Sequence, residues 1–329
     1  MTIKLSDVAK KAGVSSATVS RIINNLSGYS DETRRKVETA IKELGYKPNA
    51  VARGLAGGKT HTIGVLQPSL SSRFSAELIH GIENEAHRCG YSVIICNTDS
   101  NGERTMEYLR ILSEKRVDGI IFASEWVTGE YGGYLQDMGI PVVLVSTHSP
   151  QFGFPYVRVD DCQAAYTATR YLIDGGHRRI GFISGRPEDP IAGAPRIAGF
   201  TSALKDAGLP VDDKFFAYGD FHFNSGIAAM ETLWSRCLGL TAVFTSSDEM
   251  ALGALAFLHE NEIKVPDDIS LIGYDDTLDA LMAMPALTTL HQPIFEMGGK
   301  AVQMLFERGP VNNIIMQHSI SERKSVRTI

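Results

Sequence analysis

The sequence predicts an α/β protein in two parts, a small all-helical head and a larger body of parallel sheets in two lobes. Three observations predict this. The first sixty residues carry apolar stripes at helical spacing. From residue 61, short β-rich apolar runs alternate with amphipathic helical stretches. The same rhythm resumes at "RRIGFISG", so there are two sets of strands and two lobes.

Composition narrows the class. Of the 329 residues, 43% are apolar and 21% charged, as in an ordinary globular protein. No run of about 18 apolar residues is present, so no membrane span is expected. The start "MTIKLSDVAKK" lacks the apolar segment of a secretory signal, and a cytoplasmic location is expected. Cys89, Cys96, Cys162 and Cys237 are too far apart for a metal knuckle and are expected as free, buried or half-buried thiols. The net charge of −6 is split: residues 1–60 hold eleven Lys and Arg against five Asp and Glu, whereas the rest of the chain is strongly acidic. A basic head on an acidic body points to a polyanion as the head's partner.

The head justifies this in detail. In "LSDVAKKAGVSSATVSRIINN", Leu5, Val8, Ala9 and Ala12 form one helical stripe. Ser15 is a good N-cap, and Val19, Ile22 and Ile23 form a second stripe. Only Gly13 and Val14 separate the two, so the helices must cross steeply. The other side of the second helix carries Ser16, Ser20 and Asn24, with Ala17 and Arg21 in the next row. Small hydroxyls, an amide and one arginine suit a surface that enters a DNA major groove, where Arg grips guanine with two hydrogen bonds. A third helix follows, with Ser30 as cap, Val37, Ala40, Ile41 and Leu44 inward, and Gly45 as stop. These residues alone also fit a three-helix scaffold with a solvated polar face.

The stretch "RGLAGGKTHTIGVLQ" looks at first like the end of a phosphate-binding loop. The pattern G-x-x-x-x-G-K-[ST] needs glycine at position 53, which is Arg53, and the apolar run follows the glycines instead of preceding them. No complete G-x-G-x-x-G and no nucleophile elbow is present, and His177 simply precedes a strand, so no catalytic set is expected.

In the body, "HTIGVLQP", "YSVIICNTD", "VDGIIFAS" and "PVVLVST" alternate with helical patterns beginning near Ser75, Gly102 and Gly129. "RRIGFISG", "KFFAYGD", "TAVFTSSD" and "ISLIGYDD" repeat the arrangement. Nearly all-apolar strands, each followed by a helix, indicate parallel sheets covered on both faces, with a cleft at their carboxyl ends. Polar residues just after the strands are therefore candidates for ligand contact: Asp248 after "VFTSS", Asp275 after "SLIGY", and Arg196 in the helix after "FISGRPEDPIAGAP". Asp248 reads equally well as a helix cap.

"DVAKKAGVSSATVSRIINN" and "TRRKVETAIKELGYKPNAVARGLA" resemble the DNA-binding head of the LacI/GalR family of bacterial repressors. The resemblance continues through "VDGIIF", "GHRRIGFISG", "DEMALGA", "ISLIGYDD" and "LTTLHQP", nearly the whole chain in the family's order. "PNAVARGLA" and "SDEMALG" are closest to its catabolite control subgroup. The resemblance implies a helix-turn-helix domain over residues 1–48, a hinge helix and linker over 49–60, and a periplasmic-binding-protein-like body over 61–329. Lobe one would span about 61–159 and 292–320, and lobe two about 160–290 and 321–329, with crossings near Asp160, His291 and Ile320. The implied hinge helix orders on DNA and enters the minor groove, with Leu55 as the apolar wedge and Arg53 beside it. Two turns containing Gly54 are marginal in isolation, which suits ordering on DNA; a flexible linker explains the glycines but not the i+4 spacing of Val51 and Leu55. Ser15, Thr18, Thr33, Tyr46 and Asn49 complete the expected DNA-binding set.

For the cleft, the resemblance implies a sugar effector, with Phe74 and Phe221 as aromatic platforms and Ser146, Asp160 and Gln292 as further lining. Ser247 and Ser146 stand where many members have Asn and Asp, so the sugar's identity is open. The catabolite control subgroup carries a basic residue near "MAMPALTT" that receives a phosphorylated carrier protein. Met284 stands there, and small-molecule control is expected instead. The whole implies a homodimeric regulator with operator DNA as partner and no cofactor, working by induction or with a corepressor. A dimer and not a tetramer is expected, because "SISERKSV" near the end is followed by no heptad segment. The competing class is a solute-binding protein of a transporter; it fits the body but leaves residues 1–58 unexplained.

Overall fold

The computed structural model describes residues 3–23, 27–46, 59–99, 102–237 and 239–329. The chain divides into two compact units, one comprising residues 1–62 with 116–118, the other the remainder.

The first unit contains α1 (Leu5–Ala12), α2 (Ser16–Ile23) and α3 (Asp31–Leu44). Ser15 Oγ accepts the Thr18 amide at 3.1 Å and starts α2; Ser30 Oγ accepts the Thr33 amide at 3.2 Å and starts α3. Gly13 and Gly45 end α1 and α3 in the left-handed conformation, at φ 67° and 63°, which glycine adopts without a Cβ clash. Val8, Ala9, Val19, Ile22, Val37 and Ala40 are buried together, with Leu5, Ala12, Ile41 and Leu44 at the edge. That core is small, so the unit's stability is modest.

The body begins with β1 (Thr62–Gln67), β2 (Ser92–Asn97), β3 (Gly119–Ala123), β4 (Val142–Val145) and β5 (Tyr156–Val159). It continues with β6 (Ile180–Ser184), β7 (Phe216–Tyr218), β8 (Ala242–Thr245), β9 (Ser270–Asp275) and β10 (Thr288–His291). β11 (Ile314–Met316) and β12 (Ser319–Ser321) close it. One six-stranded sheet runs β11-β5-β4-β3-β1-β2, the other β12-β10-β9-β8-β6-β7. β12 runs antiparallel to β10, while the pairs β1–β3, β3–β4, β6–β8 and β8–β9 are parallel. The chain leaves the first sheet after β5, returns to it after β10, and leaves it again between Met316 and Ser319. This last passage lies a few residues ahead of the expected Ile320, because Ile320 already pairs with Leu290 in the second sheet.

The β3, β4, β6, β8 and β9 strands are buried along their whole length, as parallel strands covered on both faces must be. Phe182, the central aromatic of lobe two, stacks on Phe200 and Phe244 with centroids 4.6 and 4.7 Å away. All four cysteines are free; Cys96 and Cys237 are buried and Cys162 half-buried, but Cys89 is exposed at the end of the helix Arg73–Arg88. Among the described residues no helix is long and apolar enough to cross a membrane.

Candidate effector cleft and DNA-binding face

Within the body, the carboxyl ends of both sheets open into one cavity of about 770 Å³. Strand ends supply its polar wall, because each parallel strand turns there into a loop or helix. Four wall residues stand at or just beyond strand ends with positive φ: Ser124 (φ 55°) after β3, Ser146 (φ 51°) after β4, Phe221 (φ 70°) after β7 and Asp275 (φ 121°) ending β9. Non-glycine residues hold such conformations at a cost of roughly 1–3 kcal/mol each, and they cluster where side chains are aimed at a ligand.

The wall centres on Arg196. Its Nε donates to Asp161 Oδ1 at 2.8 Å and its Nη1 to the Ser246 carbonyl. Its guanidinium lies 3.7 Å from the centre of the Tyr274 ring, and the Tyr274 hydroxyl donates to the same Asp161 oxygen at 3.0 Å. Burial opposes the charge of Arg196, but the Tyr274 oxygen and the Asp161 and Asp275 carboxylates outweigh it and hold the guanidinium protonated. Burial, with Asp248 nearby, pushes the Asp275 carboxyl well above the usual range, against Arg196 and a 2.8 Å hydrogen bond from Gln292 Nε2. Ser146 lines the cavity, and its buried Oγ has no hydrogen-bond partner among the described residues. Phe74 and Phe221 add apolar faces, and Arg73 reaches across from lobe one to Asp279 at 3.0 Å. Polar groups converging between apolar faces recognise a small polar molecule.

In the head, Val19 and Ile22 turn α2 inward, leaving Ser16, Ala17 and Arg21 exposed on its other face.

Residues 4–49 match the family described as bacterial regulatory proteins, lacI family. Residues 60–323 match periplasmic binding proteins and the sugar-binding domain of the LacI family. The chain belongs to the LacI family. Catabolite control protein A of Priestia megaterium is 41% identical over 332 residues, covering 99% of this chain and all of the relative. A lac repressor dimer bound to operator and the anti-inducer ONPF superposes with a TM-score of 0.89 at 29% identity, over 99% of this chain and 100% of that one. A complex of the transcriptional regulator CelR with cellobiose does so with a TM-score of 0.74 at 32% identity, over 98% and 99%. This LacI-family chain is a sequence-specific DNA-binding transcriptional regulator, not an enzyme.

The cleft of this LacI-family member departs from the sequence expectation at two positions. Asp160 does not line the cavity: its carboxylate accepts the Gln163 amide at 3.1 Å and caps the helix Asp161–Asp174. The cavity residue is its neighbour Asp161, and the D-x-x-Q spacing of a capping box was the available signal. Asp248 does not line the cavity and does not cap its helix. Ser247 caps the helix Asp248–Glu260 through the Met250 amide, while Asp248, only 1% exposed, accepts from Thr277 N, Thr277 Oγ1 and Thr289 Oγ1.

Phe74, Ser146, Arg196, Phe221, Asp275 and Gln292 all line the cavity. Sequence reasoning missed Asp161, Glu125, Trp126, Tyr131, Glu249 and Ser246, which chain topology alone brings there. Of the candidate DNA contacts, Ser15 and Thr18 are hydrogen-bonded at the start of α2, Ser20 is half-buried beside the exposed face, Thr33 lies in the first turn of α3, and Tyr46 packs against the head core. Asn24, Asn49, Arg53 and Leu55 lie outside the described residues.

Proposed function

We propose that the protein represses carbohydrate-utilisation genes as a homodimer and releases its operator when a sugar fills the cavity of each body. The observation that carries this is the convergence of Arg196, Asp275, Gln292 and Ser146 on one cavity that Phe74 and Phe221 also line. Charged forks pair with vicinal hydroxyls, and aromatic faces pack on the C–H faces of a sugar ring. Cellobiose in the similar CelR supports the same ligand class.

On the DNA side, the exposed face of α2, with Ser16, Ala17 and Arg21, enters the major groove. Ser15, Thr18, Ser20, Asn24, Thr33, Tyr46 and Asn49 support it, and Arg53 and Leu55 act in the minor groove. Two heads reading a near-palindrome require a dimer. The apolar patch of Leu278, Leu281, Met282 and Met284, the last 95% exposed, is the surface that pairing would cover. Linkage makes the coupling reciprocal, so operator DNA lowers effector affinity by the factor by which effector lowers operator affinity.

The test is a gel-shift titration with genomic fragments at fixed salt, with and without a sugar panel. Locus-selective binding relieved by one sugar supports the reading. Selective binding that a sugar tightens replaces induction with corepression, and binding without locus preference overturns it.

A further inference from the structure

The cavity extends along lobe one, where Gly102, Ser124, Glu125, Trp126, Thr128 and Tyr131 form its wall. Trp126 is the large apolar surface there, and 38% of it is open. It is braced from behind by an aromatic ladder. The His148 ring meets the indole edge-on at 5.8 Å, Tyr156 lies 6.2 Å from His148, and the Arg158 guanidinium sits 5.4 Å above Tyr156. Burial, then the charge of Arg158, lower the pKa of His148 against the pull of Asp161, so the ring behind the indole is neutral at neutral pH. Glu125 is fixed beside it, one oxygen accepting the Thr98 hydroxyl at 2.8 Å and the other the Thr105 hydroxyl at 2.7 Å. Tyr131 is fixed by its hydrogen bond to the Gly102 carbonyl at 3.2 Å.

Size and charge say what occupies this wall. A hexose has about a dozen non-hydrogen atoms and, even at roughly 30 Å³ for each, displaces at most about 360 Å³. That is under half of the 770 Å³ available. About two dozen atoms, two rings, fit the space. The wall carries seven carboxylate residues against three arginines. Arg73 pairs with Asp279 and Arg196 with Asp161, and burial raises the pKa of Asp275 and of Glu125, which leaves Asp189, Asp220 and Glu249 against Arg186. A dianionic phosphate ester entering this lining meets net repulsion in a low-dielectric site.

We propose that Trp126, held by His148, Tyr156 and Arg158, is a second ring platform, and that the effector is an uncharged disaccharide. One ring sits at the Arg196–Asp275–Gln292 wall and the other on the indole. The inference rests on the reading of the cavity as a sugar site and deepens it. Trp126 sets selectivity by rewarding the second ring; His148 is a positioning residue.

The experiment is calorimetric titration of the full-length protein with glucose, galactose, maltose, cellobiose, trehalose, sucrose, melibiose and lactose, and with glucose 6-phosphate and trehalose 6-phosphate. The wild type is compared with Trp126→Ala, Trp126→Phe and His148→Leu. The expected result is one disaccharide bound about tenfold or more tighter than glucose or galactose, with 6-phosphates weaker than their parent sugars. The disaccharide-to-monosaccharide affinity ratio falls about tenfold in Trp126→Ala, returns in Trp126→Phe, and falls by less in His148→Leu. An unchanged ratio in Trp126→Ala overturns the platform while leaving the sugar site standing. A 6-phosphate that binds more tightly than its parent overturns the charge argument. No heat from any saccharide overturns the sugar reading and this inference together.

Discussion

Arg196 and Asp161 form an ion pair inside the cavity wall, with 9% and 8% of their side chains exposed and 2.8 Å between Nη2 and Oδ1. Neither charge has water to fall back on, so each is held by the other and by the groups around it: Tyr274 for both, the Ser246 carbonyl for the arginine.

Arg196→Met removes the cation and leaves the Asp161 carboxylate buried without it. The expected outcome is a loss of about 3–5 kcal/mol in urea unfolding, partly recovered by adding Asp161→Asn. At temperatures where the variant is still folded, operator binding persists and the sugar response in a gel shift is absent. A normal response would take Arg196 out of recognition.

Asp248 titrates at about 7 in the folded body, against an ordinary value of 3.8. Burial is the cause, only partly offset by Thr289 and Thr277. Because the folded value is the higher, the folded state holds the proton more tightly. This stabilisation is complete below about pH 4 and is lost as pH rises through 7. Asp275 shifts in the same direction. At the acid end Asp276 acts oppositely. Burial raises its pKa, but Ser321, Arg323 and His291 together bring it below the usual range, so its contribution is present above about pH 4 and disappears on acidification. Asp248→Asn is expected to flatten the decline in melting temperature between pH 5 and 8, a change of about 2–4 kcal/mol, and a slope equal to wild type would exclude Asp248 as its source.

Helix pairs in the body approach through glycine. A Cβ at Gly81 would collide with the Phe295 carbonyl oxygen, one at Gly226 with the Met250 carbonyl, and one at Gly199 with the Cys162 carbonyl. A backbone atom cannot swing aside as a side chain does, so each helix pair would have to separate. Gly81→Ala is expected to cost about 2 kcal/mol or more in chemical denaturation, although alanine favours helices in general. A stabilised variant would show that the helices re-pack freely.

The apolar patch around Leu281 gives a direct measurement of assembly. Leu281→Asp places a charge in the middle of the proposed dimer surface, where burial without a partner costs several kcal/mol. Sedimentation should show the dimer shifting to monomer at micromolar concentration, with operator affinity falling in parallel. An unchanged dimer would place the interface elsewhere.

In α2, Arg21 is exposed while Val19 and Ile22 hold the helix in place. Arg21→Ala should relax base preference at one operator position by about 1–3 kcal/mol. Equal weakening on every sequence would make it a phosphate contact instead.

The parts of the fold whose signals are local are legible in the amino-acid order. The spacing of Val8, Ala9, Val19 and Ile22, the caps at Ser15 and Ser30 and the stops at Gly13 and Gly45 specify the head, because helix period, capping and left-handed turns each need only neighbouring residues. The alternation of buried strands and helices specifies parallel sheets for the same reason. Asp161 and Asp160 show where that reach stops: one residue apart, they face cavity and cap, and only the capping geometry separates them. Only the tertiary structure turns Asp248 to Thr277 and Thr289, residues 29 and 41 positions away, and keeps it out of the cavity lining. It alone carried Trp126 to the cavity wall and set His148, Tyr156 and Arg158 behind it. Such contacts join segments whose separation along the chain leaves no periodic trace, and they form only when the sheets bring the strand ends together.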